Sequence, residues 1–220
     1  MREVVRGGSA PHLLKISKIY EGENNIYCVG EHYSGGTLYD YIKEHGKPSE
    51  SMSIAIIRQM LKALVHLESK DLIHRDIKPE NILFQDLQLK SVSLVDFGFM
   101  TRAKEYSQLF TRCGTPGYVA PEVLADKPYN TKIDVFSTGL LMYLLVTKQN
   151  PFHDKSYTKL IQKNKSGAVD FGLVQTMPLE HKSHSRLLLR VSRRNAEDDV
   201  GARPKQEEFG FAGHFPPAVF

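Results

Sequence analysis

Two short segments near the start of the chain are rich in β-branched and aromatic residues and are separated by a polar turn. They cover residues 13–20 and 26–29, and the sequence between them, Glu-Gly-Glu-Asn-Asn, contains a glycine. Runs of this composition on either side of a polar turn favour β-strands. The pattern therefore predicts two antiparallel strands at the start of the chain.

Two later segments carry the period of α-helices. From Ser51 to about Lys70, apolar residues recur at three- and four-residue spacing, and serines precede them as candidate N-caps. Residues 133–146 are apolar nearly all round. The first segment is predicted to be an amphipathic helix and the second a buried helix.

Short apolar groups at residues 82–84 and 92–95 lie between these helices, each flanked by polar residues. They are too short and too close together for helices, so we expect small strands that frame a loop-rich site. From about Met177 onward no period is clear, and the sequence contains no internal repeat. The pattern predicts one α+β domain.

The composition narrows the functional classes. With 41% hydrophobic and 25% charged residues, the 220-residue chain is not disordered as a whole. The net charge of +4 is scattered, which gives nucleic acid or a membrane surface no focused patch. Cys28 and Cys113 cannot form a secreted disulfide framework, and no signal peptide or membrane-spanning run is readable. We therefore expect an intracellular, cytoplasmic chain, and the sequence indicates no oligomeric state.

The strongest chemical signal is the sequence His-Arg-Asp-Ile-Lys-Pro-Glu-Asn at residues 74–81, followed twenty residues after Asp76 by Asp-Phe-Gly at 96–98. Seven specified positions would match by chance at roughly 10⁻⁹ per starting point at average residue usage. The two motifs resemble the catalytic loop and the metal-binding loop of eukaryotic protein kinases. Residues 113–122, Cys-Gly-Thr-Pro-Gly-Tyr-Val-Ala-Pro-Glu, resemble the end of a kinase activation segment.

The resemblance implies a role for each polar residue of the first two motifs. Asp76 would orient the substrate hydroxyl and accept its proton, and Lys78 would contact the γ-phosphate of ATP. Asn81 and Asp96 would hold Mg²⁺, because hard cations prefer oxygen ligands. A lysine two residues after the aspartate resembles serine/threonine kinases. The implied partners are therefore protein substrates with Ser or Thr acceptors.

The same resemblance places the nucleotide site. The hinge falls at residues 31–33, where backbone groups of Glu31 and Tyr33 would meet the adenine, with Leu83 and Val95 lining the pocket floor. Gly30 falls at the gatekeeper position, which in most kinases carries a larger side chain. This implies a back pocket that admits bulky adenine analogues. The alternative is that Gly30 marks a strand bulge or a shifted register.

The activation segment supplies further expectations. Thr111 stands where many kinases carry an activating phosphothreonine that pairs with the arginine of the catalytic loop, here Arg75. The alternative is a plain solvent-exposed threonine. Thr115 and Glu122 belong to the same segment. By resemblance, the remaining motif residues are structural: His74, Phe97, Gly98 and Asp134.

Asp134 opens the predicted buried helix. A helix N-cap would explain an aspartate at this place, and the family resemblance implies that it also braces the backbone of the catalytic loop, so the two roles are compatible. Phe136, two residues later, stands where kinases usually carry tryptophan, and the chain contains no tryptophan.

The sequence also departs from the family. No glycine-rich phosphate loop and no Val-Ala-Ile-Lys-like segment precede Leu13. We therefore expect a protein-kinase-like fold with a truncated small β lobe and a mainly α-helical large lobe, and weak ATP binding. The expected organisation is a single incomplete kinase domain over 1–220, with a small-lobe remnant and hinge at 1–33, the large lobe at 34–176 and a divergent part at 177–220.

Two details near the C-terminus add to this picture. Asp199 stands where the family carries an arginine that pairs with the Ala-Pro-Glu glutamate, so Glu122 is predicted to lack its usual partner. His181 and His184 are predicted to form a solvated pair rather than a metal site. The alternative to an active kinase is an inactive kinase-like binding module, or a fragment from an incomplete gene model.

Overall fold

The computed structural model of the chain describes residues 10–104 and 112–172, which form an α+β structure, as predicted. The strands in these residues are β1 (Ile16–Glu21), β2 (Ile26–Gly30), β3 (Leu72–Ile73), β4 (Ile82–Phe84), β5 (Val92–Leu94) and β6 (Thr101–Arg102). The helices are α1 (Leu38–His45), α2 (Glu50–Ser69), α3 (Pro121–Leu124), α4 (Lys132–Thr147) and α5 (Tyr157–Ser166). The predictions at Thr111, His181, His184 and Asp199 lie outside the described residues.

The predicted N-terminal hairpin is confirmed, but its first strand is shorter than expected. β1 and β2 pair antiparallel, and Tyr20 lies opposite Tyr27. Leu13 forms a parallel bridge with Leu94 instead, and the Leu14 amide donates to the Leu94 carbonyl over 2.9 Å. The reason is burial: Leu13 is 2% exposed and belongs to the main hydrophobic core.

The β1–β2 hairpin is open to solvent on both faces. Every residue of β2 is exposed, and the hairpin carries large exposed side chains at Tyr20, Ile26, Tyr27 and Val29. A two-stranded sheet of this kind is marginally stable by itself. Within the described residues, the small lobe is thus reduced to one hairpin.

The main core lies between α2 and the elements packed on it. α2 begins after Ser49, whose side chain accepts a hydrogen bond from the Met52 amide over 3.2 Å. Its apolar face packs against β5 and against α4, where Leu141 and Leu145 are fully buried. Both predicted helices are therefore confirmed to within two residues at each end.

Helix α1 follows the hairpin and was not predicted from the apolar pattern. Thr37 and Asp40 form a capping box, in which the Asp40 amide donates to Thr37 Oγ1 over 3.0 Å. The helix has eight residues, of which one, Leu38, is buried. A helix this short and polar shows little periodicity, and the Thr-x-x-Asp cap was the available signal.

The two small strands predicted at residues 82–84 and 92–95 are confirmed as β4 and β5, and they pair antiparallel with Ile82 opposite Leu94. A 3₁₀ turn at Pro79–Asn81 leads directly into β4. This pairing brings the loop before β4 beside the loop after β5, because antiparallel strands place the start of one next to the end of the other. These two loops contain the two sequence motifs, at residues 74–81 and 96–98.

In the part of the chain that the structure describes, none of the helices combines the length and the apolar character needed to cross a membrane.

Candidate active site

Asp76 lies at the centre of a cluster of polar side chains. It is 3% exposed, and its Oδ2 atom accepts from Asn81 Nδ2 over 2.9 Å and pairs with Lys78 Nζ over 2.9 Å. Its Oδ1 atom accepts from Thr115 Oγ1 over 2.7 Å, and Lys78 Nζ donates to the same hydroxyl over 2.8 Å. The structure thus brings together four residues that the sequence motifs singled out.

Asp134 holds the backbone of the loop that carries this cluster. Its two carboxylate oxygens accept from the amides of His74 and Arg75, over 2.7 and 2.9 Å. Burial raises the pKa of the Asp134 carboxyl. The nearby His74 side chain and the hydrogen bonds from the two backbone amides oppose that shift. The N-cap of α4 is Thr131, so the N-cap interpretation of Asp134 is wrong and the bracing role is what the structure displays.

His74 joins the two functional loops. Its Nδ1 atom accepts from the Asp76 amide over 3.3 Å, which leaves the proton on Nε2 to be donated to the Val95 carbonyl over 3.0 Å. The Phe97 ring packs edge-on against the imidazole, with ring centroids 5.7 Å apart. The residue is fully buried, and burial lowers the pKa of the His74 imidazole. A neutral imidazole satisfies both hydrogen bonds.

We expect His74 to make the free energy of unfolding depend on pH. The pKa of His74 is lower in the folded state than in the unfolded state. When the pH falls below the ordinary pKa of histidine, the unfolded chain therefore binds the extra proton before the folded chain does. Stability is therefore present above about pH 6.5 and falls by about 1 kcal/mol between pH 7 and pH 5.5. Urea titrations at several pH values measure this slope.

The matched control for that slope is His74→Gln, which removes the titrating group. Its free energy of unfolding is expected to change less over the same pH range, whatever its absolute value. Identical slopes for the two proteins would contradict the assignment.

Asp96 and Asn81 are the candidate metal ligands. The Val95 amide donates to the Asn81 carbonyl over 2.9 Å, so the two loops leave the β4–β5 pair side by side. Asn81 Nδ2 is engaged by Asp76, which leaves its Oδ1 atom as the ligand atom. Asp96 is exposed, and one of its oxygens accepts from the Gly98 amide over 3.1 Å. Such oxygen donors fit Mg²⁺.

Within residues 10–104 and 112–172, no group of three or more His, Cys, Asp or Glu residues is placed to hold a metal ion.

Gly30 ends β2 at the point where the hairpin register shifts. A Cβ atom at this position would lie 2.7 Å from the Lys15 carbonyl oxygen, so the close approach of β1 requires glycine. This supports the bulge interpretation, while the gatekeeper interpretation stays a prediction. The steric conflict also makes Gly30→Met unsuitable as a test of the back pocket, because it would disturb the hairpin itself.

The predicted adenine-contacting residues lie in three places: after β2, in β4 and directly after β5. The Glu31 amide donates to the Lys15 carbonyl over 3.1 Å, and their side chains form an exposed ion pair over 3.0 Å. Tyr33 is 9% exposed and its hydroxyl accepts from Ser93 Oγ over 3.4 Å. Leu83, in β4, is half-buried, and so is Val95.

Arg75 has partners that the sequence did not indicate. Its guanidinium donates to the Phe99 carbonyl and, over 3.1 Å, to the Tyr129 hydroxyl. The predicted partner Thr111 lies outside the described residues. Glu122 is half-buried in α3 and is not without a partner. The prediction that Asp199 replaces its usual arginine partner stays a prediction, because residue 199 lies outside the described residues.

A family model and several relatives match this chain. A family model described as "Protein kinase domain" matches residues 2–204. Calcium-dependent protein kinase 5 of Plasmodium berghei is 38% identical over 162 residues, which are 73% of this chain and 29% of that protein. Calcium/calmodulin-dependent protein kinase type 1 of Macrobrachium nipponense is 36% identical over 169 residues, 76% of this chain and 49% of that protein.

A probable myosin light chain kinase of Dictyostelium discoideum is 35% identical over 186 residues, 83% of this chain and 59% of that protein. The chain thus spans between 29% and 59% of the length of these three relatives. The family match covers most of the chain and includes every residue of the cluster around Asp76. The chain therefore belongs to the protein kinase family.

Proposed function

We propose that this chain is a serine/threonine kinase that transfers the γ-phosphoryl group of ATP to a Ser or Thr hydroxyl of protein substrates. The observation that carries the proposal is the buried Asp76 carboxylate, fixed from three sides by Lys78, Asn81 and Thr115. A carboxylate held in this way can orient a hydroxyl group and take its proton.

The proposed reaction is a direct displacement at phosphorus. The acceptor oxygen forms a bond to the γ-phosphorus, the bond from that phosphorus to the bridging oxygen breaks, and ADP leaves with the electron pair. The hydroxyl proton passes to Asp76. Lys78, whose Nζ lies 2.9 Å from the Asp76 carboxylate, would neutralise charge on the transferred group. Positioning and charge stabilisation account for most of the catalysis in such reactions.

Asn81 Oδ1 and an Asp96 oxygen would hold Mg²⁺ with the nucleotide phosphates. Bound there, the ion neutralises phosphate charge and orients the γ-phosphoryl group. On the adenine side, the hinge backbone at Glu31 and Tyr33 would bind the base, with Leu83 below it.

The neighbours of Asp76 support a short acceptor side chain. Thr115 and Lys78 occupy the space beside the carboxylate.

Glu80 is exposed two residues beyond Lys78, so a basic side chain near the acceptor would meet an opposite charge. We therefore favour substrates with Lys or Arg near the target residue.

A second candidate function is that of an inactive kinase-like module that binds partners. The observation that favours it is the solvent-exposed β1–β2 hairpin, together with a sequence that carries no glycine-rich loop and no Val-Ala-Ile-Lys-like lysine. Such a module would retain the cluster around Asp76 without turning over ATP.

The two functions are separated by a phosphotransfer assay on the full chain. Radiolabelled ATP and Mg²⁺ are supplied with three peptides that differ only in a central Ser, Thr or Tyr. We expect label on the Ser and Thr peptides at least about tenfold above the Tyr peptide. Equal labelling of the Tyr peptide would contradict the acceptor class. Peptide labelling no higher than with heat-denatured chain would favour the inactive module.

A further inference from the structure

The backbone of residues 117–119 is held by the side chain of Asn164. Asn164 Oδ1 accepts from the Gly117 amide over 2.8 Å, and Asn164 Nδ2 donates to the Val119 carbonyl over 2.6 Å. The side chain belongs to α5 and is fully buried. One primary amide thus supplies both an acceptor and a donor to a loop 45 or more positions away in the sequence.

Ser137 of α4 holds the same loop from a second direction. Its hydroxyl donates to the Tyr118 carbonyl over 2.7 Å, and the Tyr118 amide donates to the Thr115 carbonyl over 3.0 Å. Gly117 has φ of +93°, and a Cβ atom there would lie 3.1 Å from Asn150 Nδ2. The path of this loop is therefore fixed by its own turn, closed between Thr115 and Tyr118, and by side chains on two helices.

The held loop borders the acceptor site. Gly117 follows Thr115 by two residues, and the Thr115 hydroxyl lies 2.7 Å from the Asp76 carboxylate. Burial raises the pKa of Tyr118 to about 12, and the nearby Glu80 carboxylate adds to that shift. A peptide that presents its hydroxyl to Asp76 would place its adjoining residues beside Thr115 and Tyr118, which are half-buried, whereas Gly117 and Val119 are buried beneath them.

We propose that Asn164 is a positioning residue for the acceptor peptide. By setting the backbone of residues 117–119, it sets the surface that aligns the acceptor hydroxyl with Asp76. This inference rests on the proposed function. A neutral amide satisfies both backbone groups, whereas leucine would leave both unsatisfied. A carboxylate would keep the bond from the Gly117 amide but would face the Val119 carbonyl.

The test compares Asn164→Leu with a matched control, Gln59→Leu. Gln59 makes the same pair of bonds to another loop, since its Oε1 accepts from the Val92 amide over 2.9 Å and its Nε2 donates to the Lys90 carbonyl over 3.1 Å. Asn164→Leu removes a buried side-chain amide and Gln59→Leu removes a half-buried one, and each amide bridges two backbone groups of a loop. The loop held by Gln59 lies outside the cluster around Asp76. The probe is a fluorescent peptide with a central serine preceded by arginines.

We expect Asn164→Leu to raise the KM and the Kd for this peptide by about tenfold, while the KM for ATP changes by less than about twofold. Hydrogen exchange at the Gly117 amide should accelerate. Gln59→Leu should leave both peptide constants unchanged. Asn164→Asp keeps the acceptor for Gly117, so it should fold and give an intermediate peptide KM.

The outcomes separate this inference from the proposed function. If the wild-type chain transfers no phosphate, the proposed function fails, and the peptide Kd still decides the role of Asn164. Faster exchange at Gly117 with an unchanged peptide KM and Kd would show that Asn164 only stabilises the fold. Failure of both wild type and Asn164→Leu to bind the peptide would overturn the inference as well.

Discussion

Replacing Asp76 by asparagine should lower kcat for phosphoryl transfer by about 10²–10⁴-fold, the usual contribution of a positioned general base. Asparagine keeps the shape of the side chain, and its Oδ1 atom can still accept from Thr115. It cannot take the proton of the acceptor hydroxyl, and it removes the charge that pairs with Lys78 over 2.9 Å. Initial rates at saturating ATP and peptide measure the effect.

Asp71→Asn is the matched control for that change. Asp71 lies five positions before Asp76, is half-buried, and faces Lys104 over 3.6 Å outside the polar cluster. Asparagine also tolerates its positive φ of 60°. We expect its kcat to stay within about twofold of the wild type, since exposed ion pairs contribute little. Similar losses in the two variants would refute the role given to Asp76.

Asp134→Ala should be the most destabilising single change near the site. The side chain is 3% exposed, and its removal leaves the buried amide of His74 and the partly buried amide of Arg75 without an acceptor. These two unsatisfied donors cost about 2–5 kcal/mol together. The loop that carries Asp76 should shift as well, and a displacement of the reacting groups by about 1 Å can lower kcat by about 10²-fold. Urea denaturation and initial rates give the two quantities.

The comparison variant is Asp126→Asn, which also removes a hydrogen-bonded carboxylate. Asp126 is exposed and pairs with Arg112 on the surface. Its urea midpoint and kcat should match those of the wild type. A stable Asp134→Ala protein with normal kcat would show that the two amides find other acceptors and that Asp134 is no brace.

The sequence predicted the parts of this fold that have strong periodicity or a dense motif. α2 and α4 are long and regular, and β4 and β5 are short but flank the two motifs around Asp76 and Asp96. The sequence pattern begins the first strand too early, because Leu13 and Leu14 have the composition of strand residues. In the structure Leu13 is buried and pairs with Leu94 of β5 instead.

The remaining site residues could not be read from the sequence, because their roles arise from contacts between distant segments. Tyr129 meets Arg75 across 54 positions, and Asn164 meets Gly117 across 47. An asparagine in a polar helix or a tyrosine before one carries no local sign of such a contact. Asp134 was partly readable, since its position suggested both an N-cap and a brace for the catalytic loop. The hydrogen bonds of its carboxylate to the amides of His74 and Arg75 identify the brace.

The solvent-exposed β1–β2 hairpin has a thermodynamic consequence for the proposed nucleotide site. Its strands pair with each other and bury few side chains, so opening it costs less free energy than opening the core. A nucleotide held at Glu31 and Tyr33 would have to order this hairpin, and part of its intrinsic affinity would be used to do so. By linkage, any contact that rigidifies β1 and β2 tightens nucleotide binding by the same factor with which nucleotide tightens that contact.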